Sequence, residues 1–283
     1  MIKSSCLSNK TLTFVGDSLS RYQYLNLAYF LSHGRYMQRY GNDDGNRSLA
    51  QEGMWGNYSI FYTEGSKALQ YHSPAVNASE VCDCRRLGLD ATTREDRTLT
   101  VSALIPAAPR QPVNKTADAA AFKVGYRQAF GMKTNVLSET LDAIQRATQG
   151  TSSFDHIILV NIGHWFHKGM TSPSNSYHAV AAAYEPLFVK AAAKAAAGRG
   201  KAQIIWKSTT AISVPRALKE MLAVQDWHHL LTSMARHYKW SVMDAFDVTS
   251  SLAQTGVDGF WDRLHFHAFV YDQLNDVLLN GLC

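Results

Sequence analysis

The chain lacks any long hydrophobic run: no stretch approaches the roughly eighteen uninterrupted apolar residues of a membrane-spanning helix, so its 283 residues read as soluble. It lacks a charge block as well. Lys and Arg total 28 against 23 Asp and Glu, and the basic residues are scattered, which removes the electrostatic footprint of a nucleic-acid binder. Repeats and long low-complexity tracts are absent too, and 46% hydrophobic residues suffice for a substantial core, so residues 1–283 read as one domain. Metal-ligand patterns are missing. The pairs His228–His229 and His164/His167 come without a Cys or carboxylate set in a recognised spacing, so we expect no bound metal and no other bound cofactor.

What is present begins with glycosylation sequons. Five Asn-x-Ser/Thr tripeptides, at Asn9, Asn46, Asn57, Asn77 and Asn114, fall within the first 120 residues. That exceeds what a cytosolic chain of this length should carry and points to the secretory pathway, either the Golgi lumen or the cell exterior. Met1 to Lys10 is too short and polar for a signal peptide, which leads us to expect a membrane anchor encoded upstream. Four cysteines, Cys6, Cys82, Cys84 and Cys283, permit three complete pairings in an oxidising compartment. A Cys82–Cys84 bridge would close a tight ring, whereas bridges from these two to Cys6 and Cys283 would tie both termini to one loop. The alternative is four free thiols.

Four short apolar runs have strand length: Leu12 to Val15, His156 to Val160, Gln203 to Lys207, and Ser241 to Ala245. Apolar residues at helical spacing predict helices over Arg21 to Ser32, Ala121 to Thr148, Tyr177 to Ala197 before Gly198, and His267 to Leu282. Strands alternating with helices imply right-handed crossovers and a parallel sheet covered on both faces, a three-layer α/β fold similar to flavodoxin. Residues 34–120, rich in Gly, Asn, Ser and Pro, hold extended pieces at Tyr58 to Thr63 and Leu99 to Leu104. This stretch is too long for a plain connection and reads as a sheet strand plus an excursion that shapes a substrate groove.

Gly16-Asp17-Ser18-Leu19 follows the first strand and precedes a helix, which places Ser18 on a strand-to-helix turn. Glycine permits the sharp turn, and the helix aims its free amides and positive dipole end at the serine oxygen and at any oxyanion beside it. The competing reading makes Ser18 a helix N-cap. Near the other end, Asp262-Arg-Leu-His265 supplies an imidazole with a carboxylate three residues before it, the components of a nucleophile–base–orienter triad. Here the competing reading is a surface turn with a satisfied histidine. Asp258 reads as a turn residue and His267 as pointing elsewhere. In an open parallel sheet the active site lies outside the carboxyl ends of the strands; Ser18 follows the first strand and Asn161 to Trp165 follow the next clear one. The Ser18 backbone amide is available as an oxyanion donor. Arg21, nearly one turn after Ser18, either faces the site or braces the turn through an ion pair.

Gly16-Asp-Ser-Leu-Ser-Arg21, Asn161-Ile-Gly-His-Trp165 and Asp262-x-x-His265, in this order, resemble the SGNH (GDSL-like) hydrolase superfamily, and within it the PC-esterase branch that includes plant trichome-birefringence-like polysaccharide O-acetyltransferases. The resemblance implies a flavodoxin-like SGNH hydrolase fold, with Ser18 as nucleophile, His265 as base and Asp262 as orienter. It also implies oxyanion or support roles for Gly56 and Asn57, and for Asn161, Gly163 and His164. The third block reads Asn161-Ile-Gly163-His164 where the wider superfamily has Gly-x-Asn-Asp, a departure shared with the PC-esterase branch. A glycan on Asn57 would exclude that residue from the site. Trp55, His164 and Trp165 either offer an aromatic floor to a sugar ring or serve the core. The expected chemistry is acyl transfer through an acyl-serine, with acetyl as the group and a polysaccharide or glycan as the partner; an acetyl donor is implied if a sugar hydroxyl is the acceptor. With water as acceptor the protein is a carbohydrate esterase. A glycan-binding pseudoenzyme and a lipid esterase are the remaining alternatives.

Overall fold

The computed structural model describes residues 7–33, 35–36, 97–101, 122–128, 136–148, 155–162, 177–197, 201–213, 218–254, 259–260 and 264–283. Among these residues six strands form one sheet: β1 (Lys10–Gly16), β2 (Arg97–Val101), β3 (Phe122–Gln128), β4 (Asp155–Asn161), β5 (Ala202–Lys207) and β6 (Ser241–Met243). Their order is β2-β3-β1-β4-β5-β6, parallel throughout except for β2, which pairs antiparallel on the β3 edge. Counted among themselves in chain order, the five parallel strands run 2-1-3-4-5, the flavodoxin-like order. The chain therefore reverses its winding direction at β1, between β3 and β4. That switch point is where a crevice opens at the carboxyl edge of such a sheet.

Period-two alternation divides the strands between two cores. On one face Leu12, Phe14, Val124, Tyr126, Ile157, Leu159, Ile205 and Met243 pack against α1 (Ser18–His33) and the C-terminal helix α6 (Ala268–Leu282). On the other, Val15, Ile158, Val160, Ile204 and Trp206 pack against α2 (Val136–Thr148), α3 (Tyr177–Ala196) and α4 (Leu218–His237). The result is a three-layer α/β/α fold. The remaining helix, α5 (Ala245–Gln254), lies beside α6. No helix among the described residues is long and apolar enough to cross a membrane.

Helix α1 is buried on nearly every side between Leu19 and Ala28, polar positions included. Its buried amides therefore need partners. The Asn26 side-chain amide donates to Asp272 Oδ1 at 2.7 Å, and the Asn275 amide donates to Asn26 Oδ1 at 2.8 Å and to the Gln23 carbonyl at 3.2 Å. These bonds key α1 to α6 in one register, which matters because α1 begins at Ser18 and α6 begins just after His265.

Three expectations change. The predicted helix over Ala121 to Thr148 is a strand followed by a helix: residues 122–128 pair in seven-residue register with β1, and Val124 and Tyr126 alternate into the core. Pairing beside a central strand satisfied the backbone of a segment whose apolar spacing also suited a helix. The strand expected over Ser241 to Ala245 stops at Met243, because Asp244 caps α5 with its Oδ1 on the Asp247 N–H at 3.2 Å. Helices α4 and α5 were absent from the sequence reading. Along α4 the inward positions include His228 and Thr232 between Val224, Leu231 and Ala235, which dilutes the apolar stripe. The extended piece near Leu99 is β2, and Leu104 and Tyr58 to Thr63 lie outside the described residues.

Cys283 is disulfide-bonded, and its partner lies outside the described residues. Asn9 is exposed at a left-handed position (φ 58°); the other four sequons lie outside the described residues.

Candidate active site

The strand-to-helix turn forms at the carboxyl end of β1, directly at the switch point. Gly16 sits in register with Asn161 of β4. A β-carbon on Gly16 would lie 2.2 Å from the Asn161 carbonyl oxygen and 2.3 Å from Ser20 Oγ, so only glycine fits this approach. Asp17 follows, buried, with its Oδ1 accepting the Leu19 N–H at 3.0 Å; the Ser20 N–H also reaches this carboxylate. These are the second and third residues of α1, so Asp17 is the N-cap. Ser18 is the first helical residue, and its hydroxyl is left for other work. The Tyr126 hydroxyl secures the turn from β3, donating to the Gly16 carbonyl at 3.0 Å and lying 3.4 Å from that of Asp17.

The Ser18 hydroxyl spends its hydrogen bond on His265: Oγ lies 2.8 Å from Nε2, across 247 residues of sequence. His265 is buried, with the Tyr22 ring edge-on to its imidazole at a centroid distance of 5.1 Å. Its loop is pinched shut by an isolated antiparallel bridge between Phe260 and Phe266 and by the His267 N–H bonded to the Gly259 carbonyl at 3.0 Å. His267 takes the N-cap position of α6, and its ring stacks on Phe269. The structure thus presents a serine oxygen bonded to an imidazole nitrogen at a helix N-terminus. As the first residue of α1, Ser18 also carries a backbone N–H with no acceptor inside the helix. Such a set can generate an alkoxide-like nucleophile and hold the oxyanion that forms beside it.

Asn161 is at the site's edge, but its side-chain amide donates to the carbonyls of Lys207 at 3.1 Å and Ser208 at 3.2 Å. Those donors tie β4 to the end of β5. Arg21 is buried, its guanidinium carbon 5.5 Å from the Tyr22 ring centroid, which makes it part of the packing around the His265 neighbour. Asp262, Asp258, Gly56, Asn57, Trp55, Gly163, His164, Trp165 and His167 lie outside the described residues. His228 stands elsewhere on the carboxyl edge, and the fold gives it the carboxylate neighbours its sequence surroundings lacked, Asp244 and Asp247.

Sequence reasoning missed Lys207. It ends β5 with its side chain fully buried and its ammonium without a hydrogen-bond partner among the described residues. Burial pushes the lysine down to about 8 against the pull of Asp17, and burial likewise pushes Asp17 up against the pull of Lys207 and His265. The charge of each group favours the charged form of the other, against the burial of both. The sign of the linkage follows. An unfolded lysine keeps its proton to about 10.4, so between pH 8 and that value the unfolded chain binds more protons and stability rises with pH; below pH 8 the burial penalty is present in full. Urea unfolding across this window should show wild type gaining up to about 3 kcal/mol relative to Lys207→Met, which lacks the group. Comparison with the variant removes the opposite trend of Tyr36 and Tyr184, whose phenols are raised in the fold. A constant difference across the window would refute the buried charge.

No family model matches the chain, and no curated protein matches it. Solved structures do. A putative GDSL-like lipase from Parabacteroides merdae aligns with 100% of this chain and 99% of its own at 12% identity and a TM-score of 0.48. An acetylxylan esterase from Geobacillus stearothermophilus aligns over 98% and 96% at 14% identity, with a TM-score of 0.45. An α/β hydrolase enzyme from the metagenome of Lake Arreo aligns over 97% and 95% at 12% identity and 0.46.

Proposed function

We propose that this protein is a serine-dependent acyl-transfer enzyme of the SGNH type, working through an acyl-serine on Ser18. The observation that carries the reading is the 2.8 Å contact between Ser18 Oγ and His265 Nε2 at the N-terminus of α1, on the carboxyl edge of the sheet. His265 takes the Ser18 proton as Oγ attacks an ester carbonyl, and the Ser18 N–H faces the developing oxyanion. Collapse expels the alkoxide, which His265 protonates, leaving the acyl group on Ser18. His265 then takes the proton of an acceptor hydroxyl, which attacks the acyl-serine and regenerates the free serine. The spacing of Asp262 three residues before His265 supports it as the group that orients the imidazole.

The Gly-Asp-Ser-Leu-Ser-Arg and Asn-Ile-Gly-His-Trp likeness favours acetyl as the group and a polysaccharide or glycan hydroxyl as the acceptor. Water as acceptor makes the same machinery a carbohydrate esterase. Intact-protein mass spectrometry after brief exposure to an activated aryl acetate tests both. Wild type should gain one acetyl and Ser18→Ala none; transfer to an added xylan or pectin oligosaccharide marks a transferase, and loss to water an esterase. Absence of any Ser18-dependent adduct or turnover, with short or long acyl chains, would sink the reading. The five sequons and the Cys283 disulfide support a secretory location, Golgi or extracellular. Glycosidase-sensitive mass in the same spectra, on protein from a eukaryotic secretory host, checks it.

A further inference from the structure

The second cluster on the carboxyl edge has no part in acyl transfer. His228 on α4, Asp244 after β6 and Asp247 in the first turn of α5 come from three different elements, and one ligand atom from each lies within 4.8 Å of the other two. The burial of its members is graded. His228 is 4% exposed, Asp244 is partly buried, and Asp247 is exposed.

From this geometry we infer that His228, Asp244 and Asp247 form a binding site for one divalent cation of the zinc class. Three features favour a ligand over a satisfied surface cluster. First, the His228 ring is clamped between elements: Nδ1 lies 3.4 Å from Thr232 Oγ1, and the ring stacks on Phe246 at 4.6 Å. Its other nitrogen, Nε2, is 3.9 Å from Asp244 Oδ2, beyond hydrogen-bond reach, and makes no hydrogen bond to any described residue. A buried imidazole therefore turns its second nitrogen toward the Asp244 carboxylate. Second, Asp244 divides its oxygens. Oδ1 accepts from Ser208 Oγ and from the Asp247 N–H, both at 3.2 Å, which leaves Oδ2 for a ligand beside His228. Hydrogen bonds at the far atoms of ligating His and Asp side chains, here His228 Nδ1–H donating to Thr232 Oγ1 and Ser208 Oγ donating to Asp244, are the outer shell that orients metal ligands. Third, an imidazole with two carboxylates suits zinc, with metal–ligand distances of about 2.0–2.2 Å. The exposed Asp247 and partly exposed Asp244 have room to close on an ion. Arg236, two turns along α4, offsets part of the negative charge from an exposed position.

Such an ion would tie α4 and α5 to the end of β6. Its outer shell also touches the catalytic edge: Ser208, which holds Asp244, offers its carbonyl to Asn161, whose own carbonyl abuts Gly16. The inference stands apart from the acyl-transfer reading, because none of its ligands belongs to the Ser18–His265 pair.

The test is isothermal titration of Zn²⁺ into the untagged full chain after chelator dialysis, with Ca²⁺ as the oxygen-preferring control and thermal unfolding alongside. Wild type should bind one equivalent of Zn²⁺, with a rise in unfolding midpoint, and should not bind Ca²⁺ comparably. Asp244→Asn keeps a side chain able to cap α5, and Asp247→Asn changes an exposed position, so both variants should fold. Each should weaken Zn²⁺ binding at least tenfold, and the double variant should lose it. The absence of stoichiometric binding in wild type, equal binding of Ca²⁺, or undiminished binding in the folded double variant would each overturn the site.

Discussion

Ser18→Ala should lower kcat on an activated acetyl ester by at least about a thousandfold while changing folding stability by no more than about 1 kcal/mol. The separation of the two effects is the point. Were Ser18 the helix cap, alanine would remove the side-chain acceptor for the first free amides, typically about 1 kcal/mol and up to about 2, and any loss of rate would be secondary. In this fold the cap is Asp17, whose Oδ1 accepts from Leu19 while Ser18 Oγ is committed to His265. Asp17→Ala should therefore give the opposite profile: it strips the cap, a loss of about 1 kcal/mol and up to about 2, and it removes the carboxylate whose charge favours the protonated form of the buried Lys207. Steady-state kinetics and urea unfolding on the two variants, measured side by side, decide the matter. If Ser18→Ala retained activity, or if it destabilised the chain as much as Asp17→Ala, the assignment of roles along Gly16-Asp17-Ser18 would be wrong.

The parts of this arrangement legible in the sequence are those fixed by short-range pattern. The apolar run before Gly16 requires a buried strand, the glycine permits the turn, and Ser18 then falls at the first turn of a helix whichever helix follows. Likewise β4 and β5 announce themselves as short apolar runs because a central parallel strand is buried on both faces, with β1 and β5 flanking β4. What stayed hidden depends on juxtaposition. Val124 and Tyr126 read equally well as helix or strand until β1 is known to lie alongside. Which of Asp17 and Ser18 caps α1 turns on backbone geometry within one residue. Lys207 looks in sequence like a polar end to a strand, and its burial follows only from the layers that cover β5. Asp244 and Asp247 could not be matched to His228 by spacing, because a helix end and a strand separate them.

The other large effect belongs to Gly16. Gly16→Ala should destabilise the fold by about 4 kcal/mol or more, at the top of the range for single substitutions, and abolish activity in whatever fraction still folds. The new methyl would meet two atoms, and they differ in their freedom to move. Ser20 Oγ, at 2.3 Å, is a side-chain atom that another rotamer or a smaller residue removes. The Asn161 carbonyl oxygen, at 2.2 Å, is backbone in a central strand, held in register with Gly16 by the β1–β4 ladder. Relief therefore requires β1 and β4 to part at their carboxyl ends. That shift also pulls on the Asn161 amide bonds to β5 and on the Tyr126 bond to the Gly16 carbonyl. It moves Ser18 as well, since only Asp17 separates it from Gly16, and a displacement of about 1 Å is enough to lose most of a positioned nucleophile's advantage. The double variant Gly16→Ala/Ser20→Gly separates the two contacts. If the strand carbonyl dominates, removing Ser20 Oγ restores little of either stability or rate, and Ser20→Gly alone costs only about the 0.5–1 kcal/mol of a helical glycine. A double variant that recovered wild-type stability and turnover would show instead that the side chain, and not the meeting of the two strands, is what demands glycine at the switch point.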